Sequence, residues 1–306
     1  MESGPAPVLA AAGRAAEAAR VHLYLVGGAV RDLLLGRSPE DVDLAAETSV
    51  DGALLLAEQL GALPGWRLRS AHRCFGTASL ETPGGLRVDL AATRTESYPR
   101  PAALPVVAAG ASIGEDLGRR DFTIHAMARR LAASGAAGPL LDPFGGKEDV
   151  VRRVVRLLHA RSLADDPTRA LRAVRYAARL GFRVDRGFRP ALALARAERA
   201  FEALSGDRLR RGLEEVLGEN DLGRATALLL DLGLLDDICP GWGDGLQREI
   251  SLKGRERTTN EEPTGHILAN RWFSLLAGLS PSGKMSVADR LKFPRTLRRA
   301  VRIPLR

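Results

Sequence analysis

Two aspartates separated by one residue follow a glycine pair and an arginine near the start of the chain. The stretch LVGGAVRDLLLGRSPEDVDLAA carries Gly27, Gly28 and Arg31 ahead of Asp41 and Asp43. Alternate residues of a strand project from the same face, so we expect both carboxylates on one side. Hard oxygen ligands beside a phosphate-binding turn are what a magnesium–nucleotide site requires. The stretch therefore predicts such a site, with Asp41 and Asp43 as catalytic metal ligands.

The elements around these residues are those that could form a triphosphate cradle. Leu23–Val26 is a short apolar segment typical of a buried strand. Gly27 and Gly28 allow the backbone to turn tightly and to approach a ligand without a Cβ in the way. Val30–Leu35 is typical of the first turns of a helix, which puts Arg31 near an N-terminus that favours anions. We expect the two glycines and Arg31 to contact phosphates.

This order of strand, Gly-Gly, Arg-Asp, Leu-Leu-Gly and Asp-x-Asp resembles the signature of the class II tRNA nucleotidyltransferase and bacterial poly(A) polymerase family, within the polymerase-β-like superfamily. Residues 115–128, EDLGRRDFTIHAMA, resemble its second motif, usually RRDFTINA. The resemblance assigns Arg119, Arg120 and Asp121 to phosphates and a ribose hydroxyl, for which charge-assisted contacts are well suited. His125 stands where the family has asparagine, and its size could alter the sugar contacts. Alone, this segment could also be the start of an amphipathic helix with solvated arginines.

A third segment, DDPTRALRAVRYAARLGF from Asp165, resembles the family's base-selecting motif, usually Glu-Asp-x-x-Arg. Cytosine and adenine present an amino donor beside a ring-nitrogen acceptor, whereas guanine and uracil present the reverse order. An acceptor-only Asp166 beside a donor-only Arg169 would complement the first pair and reject the second. Arg172 and Arg175 continue a basic stripe and are also nucleotide-binding candidates. The alternative is an Asp-Pro helix cap with a solvated arginine face.

A third carboxylate, Asp89, lies in LRVDLAATR. We expect it on a strand next to that of Asp41 and Asp43, where it could activate the attacking hydroxyl. A purely structural role is equally compatible with the sequence.

The composition is that of a cytoplasmic protein with an anionic partner. The net charge of +8 is carried almost wholly by arginine, whose fork suits phosphate, although a GC-rich genome would also favour arginine codons. Cys74 and Cys239 are too few for a disulfide framework or a zinc site. No apolar run reaches the length of a membrane span.

The pattern of elements predicts a mixed sheet with flanking helices followed by an all-α part, and the resemblance implies that the first is an α/β head of polymerase-β type and the second a neck and body. We expect the head at residues 1–141, the neck with the base-selecting helix at 142–205, and an RNA-binding body with a short, weakly organised tail at 206–306. Within the head, a lead-in helix is expected at 1–20. The other elements expected in the head are strands at Val42–Ala45, Thr77–Glu81 and Leu86–Ala91, a hairpin turn at Gly84-Gly85, a helix at Asp51–Leu60, a loop at Tyr98–Gly114 and a helix at Gly118–Leu131.

The resemblance implies Mg²⁺-dependent transfer of C and/or A from CTP and ATP to the 3′ end of tRNA without a nucleic-acid template. Whether CC, A or the full CCA is added stays open. A bacterial poly(A) polymerase is the nearest alternative, and an idle RNA-binding protein on the same fold is another. Relatives usually carry a longer C-terminal region, so a short variant and a fragment are both compatible with a chain ending at Arg306.

Overall fold

The computed structural model describes residues 5–253 and 267–303. They divide into two compact units, one containing the residues up to Pro99 with Leu104–Leu158, the other Arg100–Ala103 with the residues from His159. Residues 142–158 thus group with the first unit, and the three-part division at 142 and 206 stays a prediction. Within the described ranges, every helix is too short or too polar to cross a lipid bilayer.

The first unit is the predicted α/β head. Its elements are α1 (Pro5–Ala18), β1 (His22–Val26), α2 (Gly27–Leu34), β2 (Asp41–Glu47), α3 (Val50–Gly61), β3 (Arg67–His72), β4 (Thr77–Glu81), β5 (Arg87–Ala92), β6 (Arg94–Ser97), β7 (Val106–Ala109), α4 (Ile113–Gly118), β8 (Ala128–Leu131), β9 (Ala137–Leu141), α5 (Gly146–Val151) and β10 (Val154–Val155). Seven strands form one mixed sheet in the order β3-β4-β5-β2-β1-β8-β9. β2 and β5 run parallel, and the other neighbouring pairs run antiparallel.

Apolar periodicity explains how this sheet is covered. α3 packs against β3, β4 and β5 through a buried stripe that includes Ala53, Leu56 and Leu60, which recur at helical spacing. The hydroxyl of Ser49 caps this helix by accepting from the amide of Gly52 at 3.2 Å. Leu23 in the adjoining strand β1 is 1% exposed. The centre of the sheet is therefore a rigid support for β2, the strand that carries the two predicted metal ligands.

Most of the elements predicted for the head are confirmed within one or two residues. These are the strands at 23–26, 42–45, 77–81 and 86–91, the helix at 51–60 and the glycine hairpin turn, while the lead-in helix predicted at 1–20 is confirmed over Pro5–Ala18. α2 begins at Gly27, earlier than the predicted Val30, so both glycines belong to its first turn.

The helix predicted at Gly118–Leu131 is wrong. The chain there forms a short 3₁₀ turn at Thr123–His125 and then β8, which pairs with β1 so that Val26 lies opposite Ala128. All residues from Asp121 to Ala128 are buried. This buried segment lacks the solvent-exposed face of an amphipathic surface helix, and only its last residue, Ala128, belongs to the strand.

The loop predicted at Tyr98–Gly114 is also only partly correct. β7 lies within it and pairs antiparallel with β6, and α4 begins at Ile113. The hydroxyl of Ser112 and the carboxylate of Glu115 form a reciprocal capping box at the start of α4. That box was present in the sequence as Ser-x-x-Glu and marks where the loop ends.

The second unit is helical, as predicted. Its elements are α6 (Ser162–Asp165), α7 (Thr168–Leu180), the two-residue β11 (Arg183–Val184), α8 (Phe188–Ala197), α9 (Ala200–Ala203), α10 (Gly206–Leu217), α11 (Leu222–Asp231), α12 (Leu234–Ile238), α13 (Trp242–Lys253), α14 (Ile267–Leu275), α15 (Pro281–Arg290) and α16 (Arg295–Ala300). The described part of the tail is better organised than expected, since Trp272 is fully buried and its ring lies edge-on to Phe293, with 4.7 Å between centroids. The rest of that tail prediction, at 254–266 and 304–306, lies outside the described residues.

Candidate active site

Three carboxylates and one arginine share a face of the central sheet. In the parallel pair of β2 and β5, Asp43 lies opposite Asp89 and Asp41 lies opposite Arg87. Alternation along the strands puts these four side chains on one face, while the intervening residues, such as Val42, are buried on the other. The structure thus brings together the three carboxylates that the sequence singled out.

Asp43 is the carboxylate most affected by this arrangement. Its pKa is raised from the ordinary 3.8 to about 6, first by burial and then by the charges of Asp41 and Asp89, against the opposing attraction of Arg120 and Arg87. Like charges on one face destabilise the ionised form of each other. The face therefore carries more negative charge than its own cations neutralise.

Arg87, which the sequence interpretation did not single out, is paired with Asp89. Its Nε donates to Asp89 Oδ1 at 3.1 Å and its Nη2 lies 2.8 Å from Oδ2. This hydrogen bonding raises the pKa of Arg87, to which the charges of Asp89, Asp41 and Asp43 add. Arg87 is the residue two before Asp89, so strand alternation was the available signal for it.

Gly27 lies between the carboxylates and the second motif. It adopts φ +68°, a left-handed conformation that favours glycine. A Cβ at this position would lie 3.2 Å from Asp43 Oδ2 and 3.0 Å from Arg120 Nη1. The missing side chain therefore keeps open the space where a carboxylate and a guanidinium converge.

Arg120 is held there by a buried carboxylate, Asp116, that the sequence interpretation missed. Arg120 Nη2 donates to Asp116 Oδ2 at 3.0 Å, and Arg119 Nη2 donates to Oδ1 at 2.7 Å. Burial opposes ionisation of Asp116, but the charges of Arg120 and Arg119 outweigh it and hold its pKa below the usual value. The spacings of three and four residues on a helix end were the signal for these pairs. Arg119 also donates to Glu96 at 2.9 Å and so serves the framework in this structure.

Arg31 is buried, 5% exposed, and belongs to a chain of polar contacts. Its Nε and Nη2 donate to the two carboxylate oxygens of Asp32, each at 2.9 Å. Its Nη1 lies 2.7 Å from His125 Nε2, and His125 Nδ1 lies 2.9 Å from Asp121 Oδ1. An ideal Cβ on Gly28 would lie 3.5 Å from Arg31 Nη2, so the guanidinium sits against the glycine turn. The two predicted phosphate-binding elements are thus connected through side chains.

The residues on the carboxylate face are suited to a divalent cation. Within residues 5–253 and 267–303, no group of three or more His, Cys, Asp or Glu side chains is arranged to hold a cation unaided. Mg²⁺ at nucleotide sites is commonly bound by one or two carboxylates, with water and substrate phosphates completing its shell. Burial, and after it the charges of Asp41 and Asp89, raise the pKa of Asp43, and a bound cation would oppose both effects. Asp41 and Asp43 therefore fit the ligand role predicted for them.

In the second unit, the predicted base-selecting residues lie at the start of α7. Asp166 Oδ1 accepts from the amide and hydroxyl of Thr168, at 3.0 and 2.7 Å, and from Arg208 Nη2 at 2.9 Å. Arg169 is buried and its Nη1 donates to Ser162 Oγ at 2.7 Å. Asp166 thus accepts from the amide of the first residue of α7, although the N-cap position itself is Pro167, and a second helix supplies Arg208 to fix it. Arg208 lies 42 residues away, so no local sequence signal identified it.

The basic stripe of α7 is less exposed to solvent than the sequence suggests. Arg175 donates to Glu219 at 3.0 Å and to Glu215 at 2.7 Å, and Arg179 also donates to the buried Glu219. Arg172 lies over the ring of Tyr176, with its guanidinium carbon 5.5 Å from the centroid. The nucleotide-binding roles of Arg172 and Arg175 stay predictions, and the contacts of Arg175 are those of a packing residue.

Comparison with known proteins agrees with this geometry. Residues 23–156 match the model of the poly(A) polymerase head domain. Over 282 residues, the chain is 33% identical to a CCA-adding enzyme of Pseudomonas putida. This match covers 90% of this chain and 70% of the relative. The chain belongs to the tRNA nucleotidyltransferase family. The family implies a divalent metal.

Two further similarities place this member among its relatives. It is 41% identical over 228 residues to an A-adding tRNA nucleotidyltransferase of Geobacter sulfurreducens, a match that covers 74% of this chain and 25% of the relative. A solved structure of a CCA-adding enzyme in an apo form aligns with 97% of this chain and 69% of its own, with a TM-score of 0.77 and 32% identity. The chain thus spans a quarter of the length of one curated nucleotidyltransferase and more than two thirds of another.

Proposed function

We propose that this protein adds C and/or A, from CTP and ATP, to the 3′ end of tRNA without a nucleic-acid template. The observation that carries the proposal is the alignment of Asp43 with Asp89 across β2 and β5, with Asp41 on the same face and Gly27 opening it toward Arg120. Such a face can hold the reacting end of a nucleoside triphosphate. The tRNA nucleotidyltransferase family supplies the class of substrate.

Each group on the head has a role that follows from its chemistry. Asp41 and Asp43 would hold Mg²⁺, which when bound activates the attacking hydroxyl and neutralises charge on the leaving pyrophosphate. Gly27 and Gly28 allow close approach of the phosphates, and Arg31 and Arg120 offer them guanidinium donors. Asp121, within the same chain of polar contacts as Arg31, keeps its predicted role near the ribose.

Asp89 would accept the proton of the attacking 3′-hydroxyl as the nucleophile forms. Its two oxygens are engaged by Arg87 in the structure, so this role requires that the half-exposed ion pair open. Exposed ion pairs contribute on the order of 1 kcal/mol or less, which makes such opening inexpensive. The oxygen atom of the RNA would then bond to the α-phosphorus as pyrophosphate leaves.

Base selection is assigned to Asp166 and Arg169. The three donors to Asp166 all reach Oδ1, and Oδ2 is the oxygen assigned to the amino group of cytosine or adenine. Arg169 would donate to the ring nitrogen of the same base. Guanine and uracil present a carbonyl and a ring N–H in these positions and would leave both protein groups mismatched.

A test is incubation with Mg²⁺ and tRNAs that end before C, after CC and after CCA, each supplied with one labelled nucleotide at a time. Incorporation of C, A or both on the matching ends supports the proposal and identifies the product. Long A tails on every RNA would favour the alternative, a bacterial poly(A) polymerase. Absence of incorporation with tight tRNA binding would favour an RNA-binding protein without catalysis.

A further inference from the structure

The contact between Arg31 and His125 fixes the state of the imidazole. Nη1 of Arg31 lies 2.7 Å from Nε2 of His125, and a guanidinium can only donate, so Nε2 must accept. A neutral imidazole that accepts at Nε2 carries its proton on Nδ1. That nitrogen lies 2.9 Å from Asp121 Oδ1, which can only accept when ionised. Both neighbours therefore require the neutral Nδ1–H tautomer.

Burial of both side chains means that this contact fixes the orientation of the Arg31 guanidinium. Both side chains are buried, Arg31 at 5% and His125 at 6% exposure, so neither can exchange its partner for bulk water without rearrangement. Asp32 engages Nε and Nη2 of Arg31 from one side, while His125 engages Nη1. The guanidinium plane is thus fixed from two directions at the glycine turn. A cation presented to phosphates gains most when its orientation is set before binding.

The residue type matters because the segment usually carries asparagine at position 125. An asparagine can reproduce the donation to Asp121, since its amide lies where Nδ1 does, but it is too short to extend to the position of Nε2. A glutamine extends far enough to offer an acceptor to Arg31. His125→Asn therefore keeps the contact with Asp121 and loses the one with Arg31, whereas His125→Gln can restore the contact with Arg31.

We propose that His125 is a positioning residue that holds the guanidinium of Arg31 for the triphosphate, accepting from it at Nε2 while donating Nδ1–H to Asp121. This rests on the proposed function, in which Arg31 contacts the phosphates. The imidazole acts on the phosphates through Arg31 and leaves discrimination at the sugar unchanged.

The test measures CTP and dCTP binding by calorimetry with Mg²⁺ and no RNA, for the wild type and for His125→Asn, His125→Gln, Arg31→Met and the double variant His125→Asn/Arg31→Met. Because hydrogen bonds to charged groups are the stronger ones, we expect His125→Asn to weaken CTP and dCTP binding equally, by about tenfold. His125→Gln should restore binding to within about threefold of wild type. The double variant should bind no more weakly than Arg31→Met alone. His22→Asn, at an exposed histidine of β1, is the matched control.

A spectroscopic measurement keeps the inference testable if a variant folds poorly. The chain has five histidines, and the ¹⁵N-labelled ring signals of His125 can be assigned by their loss in whichever of His125→Asn and His125→Gln folds as the wild type does. We expect the pattern of a neutral Nδ1–H ring in the wild type.

An Nε2–H pattern, or a CTP-to-dCTP affinity ratio that changes in His125→Asn, would overturn the inference. Loss of CTP binding in Arg31→Met together with wild-type binding in His125→Asn would overturn it while leaving the proposed function intact. Wild-type CTP binding in Arg31→Met would overturn the inference and the phosphate-binding role assigned to Arg31.

Discussion

At the scale of single residues, the two aspartates of β2 are the first that the proposed reaction requires. We expect Asp41→Ala and Asp43→Ala each to lower nucleotide transfer by roughly a thousandfold or more, because loss of a metal ligand removes several kcal/mol of charge stabilisation. Steady-state incorporation into tRNA measures this. Asp51→Ala, at a side chain 73% exposed on α3, is the control. Near-normal turnover in either β2 variant would remove these residues from the metal site.

The raised pKa of Asp43 has a consequence for stability in the absence of metal. Its folded pKa of about 6 lies above the ordinary 3.8, so the folded state binds more protons between these values. The contribution of Asp43 to stability is therefore most favourable below about pH 4 and decreases as pH rises to about 6. By linkage the decrease is at most about 3 kcal/mol.

Chemical denaturation of metal-free wild type and Asp43→Asn across pH 4 to 7 checks this. The variant should become more stable relative to the wild type as pH rises through this window, since it has no charge to bury. A difference between the two proteins that does not vary with pH would mean that Asp43 is not perturbed.

How far single residues could be predicted depended on the distance of their partners along the chain. Asp41, Asp43 and Asp89 were identified because strand alternation and motif order act locally, and the structure does align them. Arg208 could not be found, because its partner Asp166 lies on another helix. The contact of His125 with Arg31 likewise spans 94 residues, and only the departure from the usual motif marked the position.

At the scale of elements, the turn from β1 into α2 depends on one glycine of the pair. We expect Gly27→Ala to lower stability by about 1–2 kcal/mol, because an L-residue is strained at φ +68°. It should also weaken CTP binding by about tenfold or more, because the new methyl group would crowd Asp43 and Arg120. Thermal unfolding and calorimetric titration with CTP measure the two effects.

Gly28→Ala is the matched comparison for stability. Gly28 lies in the helix without a positive φ, and an added Cβ would make only ordinary contact, 3.5 Å from Arg31 Nη2. Its melting temperature should equal or exceed that of the wild type, since alanine favours helices over glycine. Equal destabilisation by both substitutions would mean that the conformation of Gly27 is not special.

The start of α7 allows base choice to be separated from helix capping. We expect Asp166→Ala to lower the overall rate and to reduce discrimination against UTP and GTP, because the rejecting acceptor is lost. The control is Asp221→Ala at the start of α11, where the Asp221 side chain caps the helix by accepting from Arg224 N at 2.9 Å. This variant should lose about 1 kcal/mol of stability without a change in base choice. Steady-state incorporation of all four nucleotides by the wild type and both variants distinguishes base selection from helix capping. If Asp166→Ala slows all four by one factor, the residue is only a cap.

The local periodicity of the sequence predicted most elements of the head but not the structure of residues 118–131. The alternating polar and apolar residues of β2 predict a strand, and the apolar residues of α3 at helical spacing predict a helix with one buried face. Residues 121–126 alternate polar and apolar side chains, a period of two that is typical of a strand, yet all of them are buried and β8 begins only at Ala128. The pairing of β8 with β1 that decides the matter is a tertiary contact.

At the scale of the whole molecule, much of the arginine excess is used internally. Guanidinium groups pair with Asp116, Glu96, Glu198, Glu219 and Asp237, among others. The 45 lysines and arginines therefore overstate the number of cations directed at a partner, whereas the net charge of +8 is unchanged by such internal pairing and keeps the field positive. A tRNA would meet this field before any specific contact forms.

We expect tRNA binding to be largely electrostatic and its affinity to fall steeply as salt rises. Each RNA phosphate neutralised by the protein releases counterions, so a rise from 50 to 200 mM salt should weaken binding by about tenfold for every two phosphates contacted. Fluorescence anisotropy of labelled tRNA across this range gives the slope, with a neutral polymer of similar size in place of tRNA as the control for non-ionic association. An affinity that stays constant over the range would mean that the positive charge reflects composition alone, and that the tRNA is held by contacts other than its phosphates.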